Sequence, residues 1–190
     1  MSASFSTDSG AAKTTTAKLD NSWGVGATYV TSAGDTTLTI GGGYASGDVV
    51  TSGTASTTDK SGMNLGVSAV TGDLTVGLGY GDGDTFKAND AGSTTNTQTD
   101  GSVMTAGIKY VTGDITLALG VTAGEAKDST TIGTAGTTDD SHDSTSASVT
   151  YAVASGVSAV LGYTTVDQNN EGASTTDGGS AWYVGATMSF

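Results

Sequence analysis

The sequence places Ser141, His142 and Asp143 side by side, the three residue types of a nucleophile–base–acid triad. Consecutive residues cannot adopt that geometry, in which a base must reach the nucleophile while an acid orients its far nitrogen. His142 is the sole histidine, so a second imidazole for a zinc site is absent too. Asp139, Asp140 and Asp143 form the one weak candidate for a metal site. Their carboxylate oxygens suit a hard divalent cation, but the spacing of a complete calcium loop is missing, as it is at Asp82 and Asp84. Gly41-Gly42-Gly43 and the alternating Gly77, Gly79 and Gly81 bring to mind phosphate cradles. No helix follows them, so the dinucleotide fingerprint fails and small inward positions on strands are the better reading. No catalytic residue, cofactor or enzyme activity is assigned, and metal binding is left at the aspartate cluster.

With the chemistry so sparse, the elements carry the information. The chain has 190 residues, enough for a single domain over 1–190, with 30 Gly, no Pro and no Cys. Gly, Ser, Thr and Asp disfavour helix interiors. The formal charge is −13, from 19 acids and 6 Lys with no Arg, which argues against nucleic acid as a partner. No stretch reaches the roughly 18 apolar residues of a membrane helix. The segment Met1–Phe5 lacks a signal peptide's basic and apolar regions, so the sequence predicts a mature chain or a fragment.

Period-2 alternation recurs along the chain, the spacing that puts one side-chain class on each face of a strand. Trp182, Val184, Ala186, Met188 and Phe190 share one parity; Tyr183, Gly185, Thr187 and Ser189 share the other. Segments around 3–7, 23–29, 38–44, 63–69, 74–80, 104–110, 115–122, 147–153 and 157–163 behave alike. This predicts about ten strands, each near the ~9–11 residues that cross a bilayer as β. Short turns fall at Ser32–Asp35, Thr71–Asp73, Thr112–Asp114 and Ala154–Gly156. Long polar loops are expected at about 8–20, 47–60, 82–101, 124–143 and 167–179. Short turns on one edge and long loops on the other is the layout of outer-membrane barrels.

Charges and aromatics follow that layout. Every acid is expected in a loop or turn, and Lys109 is the one lysine expected in a strand. Lys109 has inward parity, as do Thr75, Thr105 and Thr116, which makes these four the pore-lining candidates. Tyr29, Tyr110 and Tyr151 lie near short turns; Trp23, Tyr44, Tyr80, Tyr163 and Trp182 lie near long loops, all on the apolar parity. Two aromatic belts are what membrane interfaces select. The fold class is therefore all-β, an up-and-down antiparallel transmembrane barrel. A secreted Ser/Thr/Gly-rich β structural or adhesive protein, or an accessory barrel subunit of a larger membrane complex, is the alternative.

The terminal segment Ser180–Phe190 resembles the last strand of Gram-negative porins, in which a final Phe after alternating apolar residues is the signal read by the barrel-assembly machinery. On that resemblance Trp182, Val184, Ala186, Met188 and Phe190 form the assembly signal. The hairpin Tyr151–Tyr163 is similar to the penultimate hairpin of alphaproteobacterial porins. The resemblance implies a homotrimer of barrels of about sixteen strands in the outer membrane of a Gram-negative bacterium, in contact with lipid and lipopolysaccharide. It implies passive diffusion of ions and small hydrophilic solutes. The acidic balance adds a weak cation preference. Family porins oppose acids on an inward loop to a cluster of Arg; this sequence has no Arg, so that half carries over to no residue. The length also implies that N-terminal strands of a sixteen-strand barrel lie outside this chain, or that ten strands close alone.

Overall fold

The computed structural model describes residues 2–8, 17–51, 57–84, 98–128, 140–169 and 176–189, with side chains in 21–48, 59–84, 100–125, 141–168 and 178–189. They form ten strands: β1 (Ser2–Asp8), β2 (Ala17–Ala33), β3 (Thr36–Thr51), β4 (Thr57–Thr71), β5 (Leu74–Gly83), β6 (Gln98–Thr112), β7 (Ile115–Asp128), β8 (Asp140–Ala154), β9 (Val157–Asn169) and β10 (Thr176–Met188). One antiparallel sheet joins them in chain order, with β1 and β10 at its edges.

Four two-residue turns bind the hairpins. Gly34, Gly72 and Gly113 each take the first central position with φ of +59°, +54° and +56°. Each is followed by Asp, and positive φ at that first position is the mark of the type II′ turn that matches the twist of paired strands. The fourth turn reverses the order: Ser155 comes first and Gly156 second, with φ +75° and a register shift between Ala152 and Ala154. Adjacent hairpins are laced together at this edge, where Val111 N donates to Asp73 O and Ala152 N to Asp114 O.

The strands run further than their apolar alternation. β2 extends to Ala17 and β8 begins at Asp140, so much of the stretches expected as loops at 8–20, 47–60, 82–101, 124–143 and 167–179 is strand. The expectation that all acids lie in loops fails with it: Asp48, Asp59, Asp82, Glu125, Asp143 and Asp167 are strand residues. Lys109 is likewise not alone, since Lys18, Lys60 and Lys127 also fall in strands. The physical reason is that a ladder is made by backbone N–H and C=O groups and needs no apolar side chain to continue. Apolar alternation marks where the environment is apolar, not where pairing stops.

Among the described residues there is no buried apolar side chain at all. Most large hydrophobics instead lie open on one face, with Leu65 at 60%, Met104 at 62% and Val184 at 84% exposure, while Val30, Val70, Val103 and Tyr183 lie open on the other. A sheet in water hides its apolar face against a second layer. This one has none.

Candidate functional site: the two faces of the wall

Paired residues of an antiparallel ladder point to the same side, so the register fixes the faces. One row crosses nine strands: Thr31, Leu38, Ala69, Val76, Ile108, Leu119, Ala147, Tyr163 and Trp182. It belongs to the apolar face. The aromatic side chains of that face step regularly against this row. Trp23 stands eight residues toward the long connections from Thr31, Tyr44 six from Leu38, and Tyr80 four from Val76, while Tyr163 and Trp182 lie in the row. On the other side Tyr29 stands two above Thr31, Tyr110 two below Ile108, and Tyr151 four below Ala147.

Both aromatic bands thus descend by about one residue per strand. With ~3.3 Å of rise per residue and ~4.8 Å between strands, such a band is level when the strands tilt by about 35°. That is the tilt of membrane barrels. Within β7 the apolar positions run from Ile115 to Ala123 before Glu125, about 22 Å along the membrane normal at that tilt, close to the ~25 Å apolar band of such barrels. Neighbouring aromatics of the upper band also touch. The ring centroids of Trp23 and Tyr44 are 5.4 Å apart and those of Tyr163 and Trp182 4.5 Å, both pairs tilted.

The strand acids follow the same slope above the upper aromatic band. Asp48 is four residues above Tyr44, Asp59 four above Met63, Asp143 four above Ala147 and Asp167 four above Tyr163. All share the apolar face. Tyr80 Oη donates to Asp82 Oδ2 at 3.0 Å on that face, joining the two bands.

The opposite face is built mainly of Gly, Ser, Thr and Ala, with scattered Val30, Val70, Val103, Val111 and Val160 and the single aromatic Tyr183 among its described side chains. Its middle is an open trough of about 940 Å³ over β2–β6, floored by Gly26, Gly43, Gly66, Gly79 and Gly81 among others. Of the pore-lining candidates, Thr75, Lys109 and Thr116 come together: Thr75 pairs with Lys109, and Thr116 lies diagonally across from it beside Ala118. Thr105 is apart, with its Oγ1 over Gly79 in the trough. Lys60 also carries this face's parity and meets Asp84 at 3.9 Å. His142 faces the same way, its Nδ1 2.9 Å from Gln168 Nε2.

Tyr183 is the aromatic that the sequence reading placed on the small-residue parity without giving it a role. Its ring lies over Gly162, its ladder partner, and the signal was its alternation with Trp182. The assembly-signal candidates Trp182, Val184, Ala186 and Met188 share the apolar face of β10; Phe190 lies outside the described residues. The aspartate metal candidate falls partly outside the described residues. Asp143 and His142 take opposite faces of β8, Asp140 shares parity with His142, and Asp139 lies outside the described residues. No group of three or more metal-ligating side chains occurs among the described residues.

No described helix is long and apolar enough to cross a membrane, so strands are the elements available for it. The fold is shared with known outer-membrane proteins. OccK10 of Pseudomonas aeruginosa superposes with a TM-score of 0.63 at 12% identity, over 94% of this chain and 59% of that one. OccAB4 of Acinetobacter baumannii gives 0.60 at 15%, over 93% and 50%. A loop L8 deletion mutant of Vibrio cholerae OmpT gives 0.56 at 20%, over 90% and 53%. The chain therefore spans about half the length of these structures. No curated protein matches it. The model of the Gram-negative porin family matches residues 1–190, the full sequence. The chain belongs to the Gram-negative porin family, proteins of the outer membrane.

Proposed function

We propose that this chain forms wall of a water-filled outer-membrane channel that passes ions and small hydrophilic solutes by passive diffusion. The observation that carries the reading is the division of the sheet. One face is apolar, unburied and bounded by aromatic bands; the other is mainly small and polar, with a few valines. An apolar face open to the surroundings is stable against lipid, and a face of Gly, Ser and Thr holds water without blocking it. Transport down a gradient through such a lumen needs no catalytic group.

Within this reading Trp23, Tyr29, Tyr44, Tyr80, Tyr110, Tyr151, Tyr163 and Trp182 are the membrane girdle, supported by their common slope. Lys109, Thr75, Thr105 and Thr116 line the pore, supported by their shared face. Trp182, Val184, Ala186, Met188 and Phe190 form the recognition strand for barrel assembly. Lipid and lipopolysaccharide surround the wall, barrels associate as homotrimers, and the net charge of −13 gives a weak preference for cations. Domain organisation is a single unit over 1–190, contributing all or part of a closed barrel. Refolding the chain into detergent and adding it to a planar bilayer tests this: discrete conductance steps are expected. A chain that stays folded and monomeric in plain buffer, with no steps, would falsify it.

A further inference from the structure

We infer that Lys109 is the charged group of the middle of the described wall that acts on permeating ions, and that the outward-facing strand acids do not. The inference rests on the channel reading above and deepens it. The chain is strongly acidic, yet the strand acids whose side chains are described are on the wrong side to act on the lumen; Asp8, Asp128, Asp140 and Asp177, which take the other parity, lie at strand ends by the long connections. Asp48, Asp59, Asp82, Glu125, Asp143 and Asp167 all share the outward face with the apolar residues. Between those carboxylates and the lumen stands the sheet itself. Salt also screens exposed charges over a Debye length of ~10 Å at 0.1 M.

Among the described strand side chains, the inner face carries the opposite sign. Its described charged side chains are Lys60 and Lys109, with His142 near the long connections. Lys60 is paired by Asp84 at 3.9 Å, and His142 sits against Gln168. Lys109 has no such partner among the described residues. Its surroundings leave it open: Gly107 and Val111 lie two residues along its strand on either side, Gly77, Gly120 and Thr116 lie diagonally across, and Thr75 and Ala118 are its ladder partners. Nothing larger than a valine stands beside it on those strands to hold it off the water. An unpaired ammonium there attracts anions and repels cations at close range, even where water fills the space between. It therefore opposes any cation preference arising at the mouth, and keeps that preference weak.

The test is the zero-current potential of channels in a planar bilayer under a KCl gradient centred near 0.1 M. Lys109→Gln should raise the cation-to-anion permeability ratio by about 2-fold, and Lys109→Glu by about twice that shift on a logarithmic scale. The outward variants Glu125→Gln and Asp167→Asn should leave the ratio where it is. Conducting channels whose ratio ignores Lys109→Glu, or moves as far on neutralising Glu125 or Asp167, overturn this inference and leave the channel reading standing. Wild-type protein that yields no conductance steps overturns the channel reading, and this inference with it.

Discussion

The ring of Tyr183 occupies the space in which a β-carbon at Gly162 would stand. The two residues are ladder partners on the inner face, so an aromatic on β10 covers a glycine on β9 and leaves Gly162 buried. The glycine here is a receiving surface. An aromatic laid over it protects the exposed backbone and adds a cross-strand contact of roughly 0.2–1 kcal/mol.

Gly162→Ala should therefore expel the Tyr183 ring and cost about 1–2 kcal/mol in unfolding from detergent micelles. In a Tyr183→Ala background the same change should be close to neutral. Equal costs in both backgrounds would show that the two residues are independent.

The turns give a second prediction. Gly113→Ala places a β-carbon on a residue at φ +56° and should cost about 1–2 kcal/mol, although nothing lies near enough to clash. Ser155→Ala, at a turn position whose φ is not positive, should cost far less. Urea midpoints of the two variants, compared at unchanged slope, check the difference.

The faces give a third. Leu119→Arg puts a charge at mid-height on the apolar face and should destabilise the membrane-inserted state by about 2–4 kcal/mol. Thr122→Arg, three residues on and on the inner face opposite Thr105 and Ser144, should leave stability nearly unchanged and lower single-channel conductance instead. Folding titrations into lipid vesicles and conductance steps separate the two effects.

Much of this was legible in the sequence because lipid and water write different side chains onto alternate positions. Leu74, Val76, Leu78 and Tyr80 against Thr75, Gly77 and Gly79 give β5 and both of its faces at once. Gly34, Gly72 and Gly113, each before Asp, give the turns. Strand ends were not legible, since beyond the lipid zone the ladder continues with polar residues on both faces; β8 reaching Asp140 is an example. Nor was the bulge in β2. There the register shifts between Asp20 and Trp23, Asn21 takes φ +50°, and its Nδ2 donates to Asp48 Oδ2 at 3.0 Å. An asparagine tolerates that conformation better than most residues, but nothing in its neighbours' pattern announces it. The outward direction of the acids was hidden for a related reason. Once Asp48 or Asp143 is read as loop, its parity has no meaning. The slope of the aromatic bands needs the register of eight pairings, which no single strand contains.

The account stands on the assignment of one face to lipid and the other to water. Because the chain has no cysteine, single cysteines can be introduced one at a time along Thr116–Thr122 of β7 in protein folded into lipid vesicles. The measurement is the rate of reaction with a small charged thiol reagent, paired with quenching of an attached fluorophore by nitroxide lipid. Positions 116, 118, 120 and 122 should react quickly and resist lipid quenching; 117, 119 and 121 should do the reverse. A profile without that two-residue period, or with the two sets exchanged, would contradict the membrane wall described here.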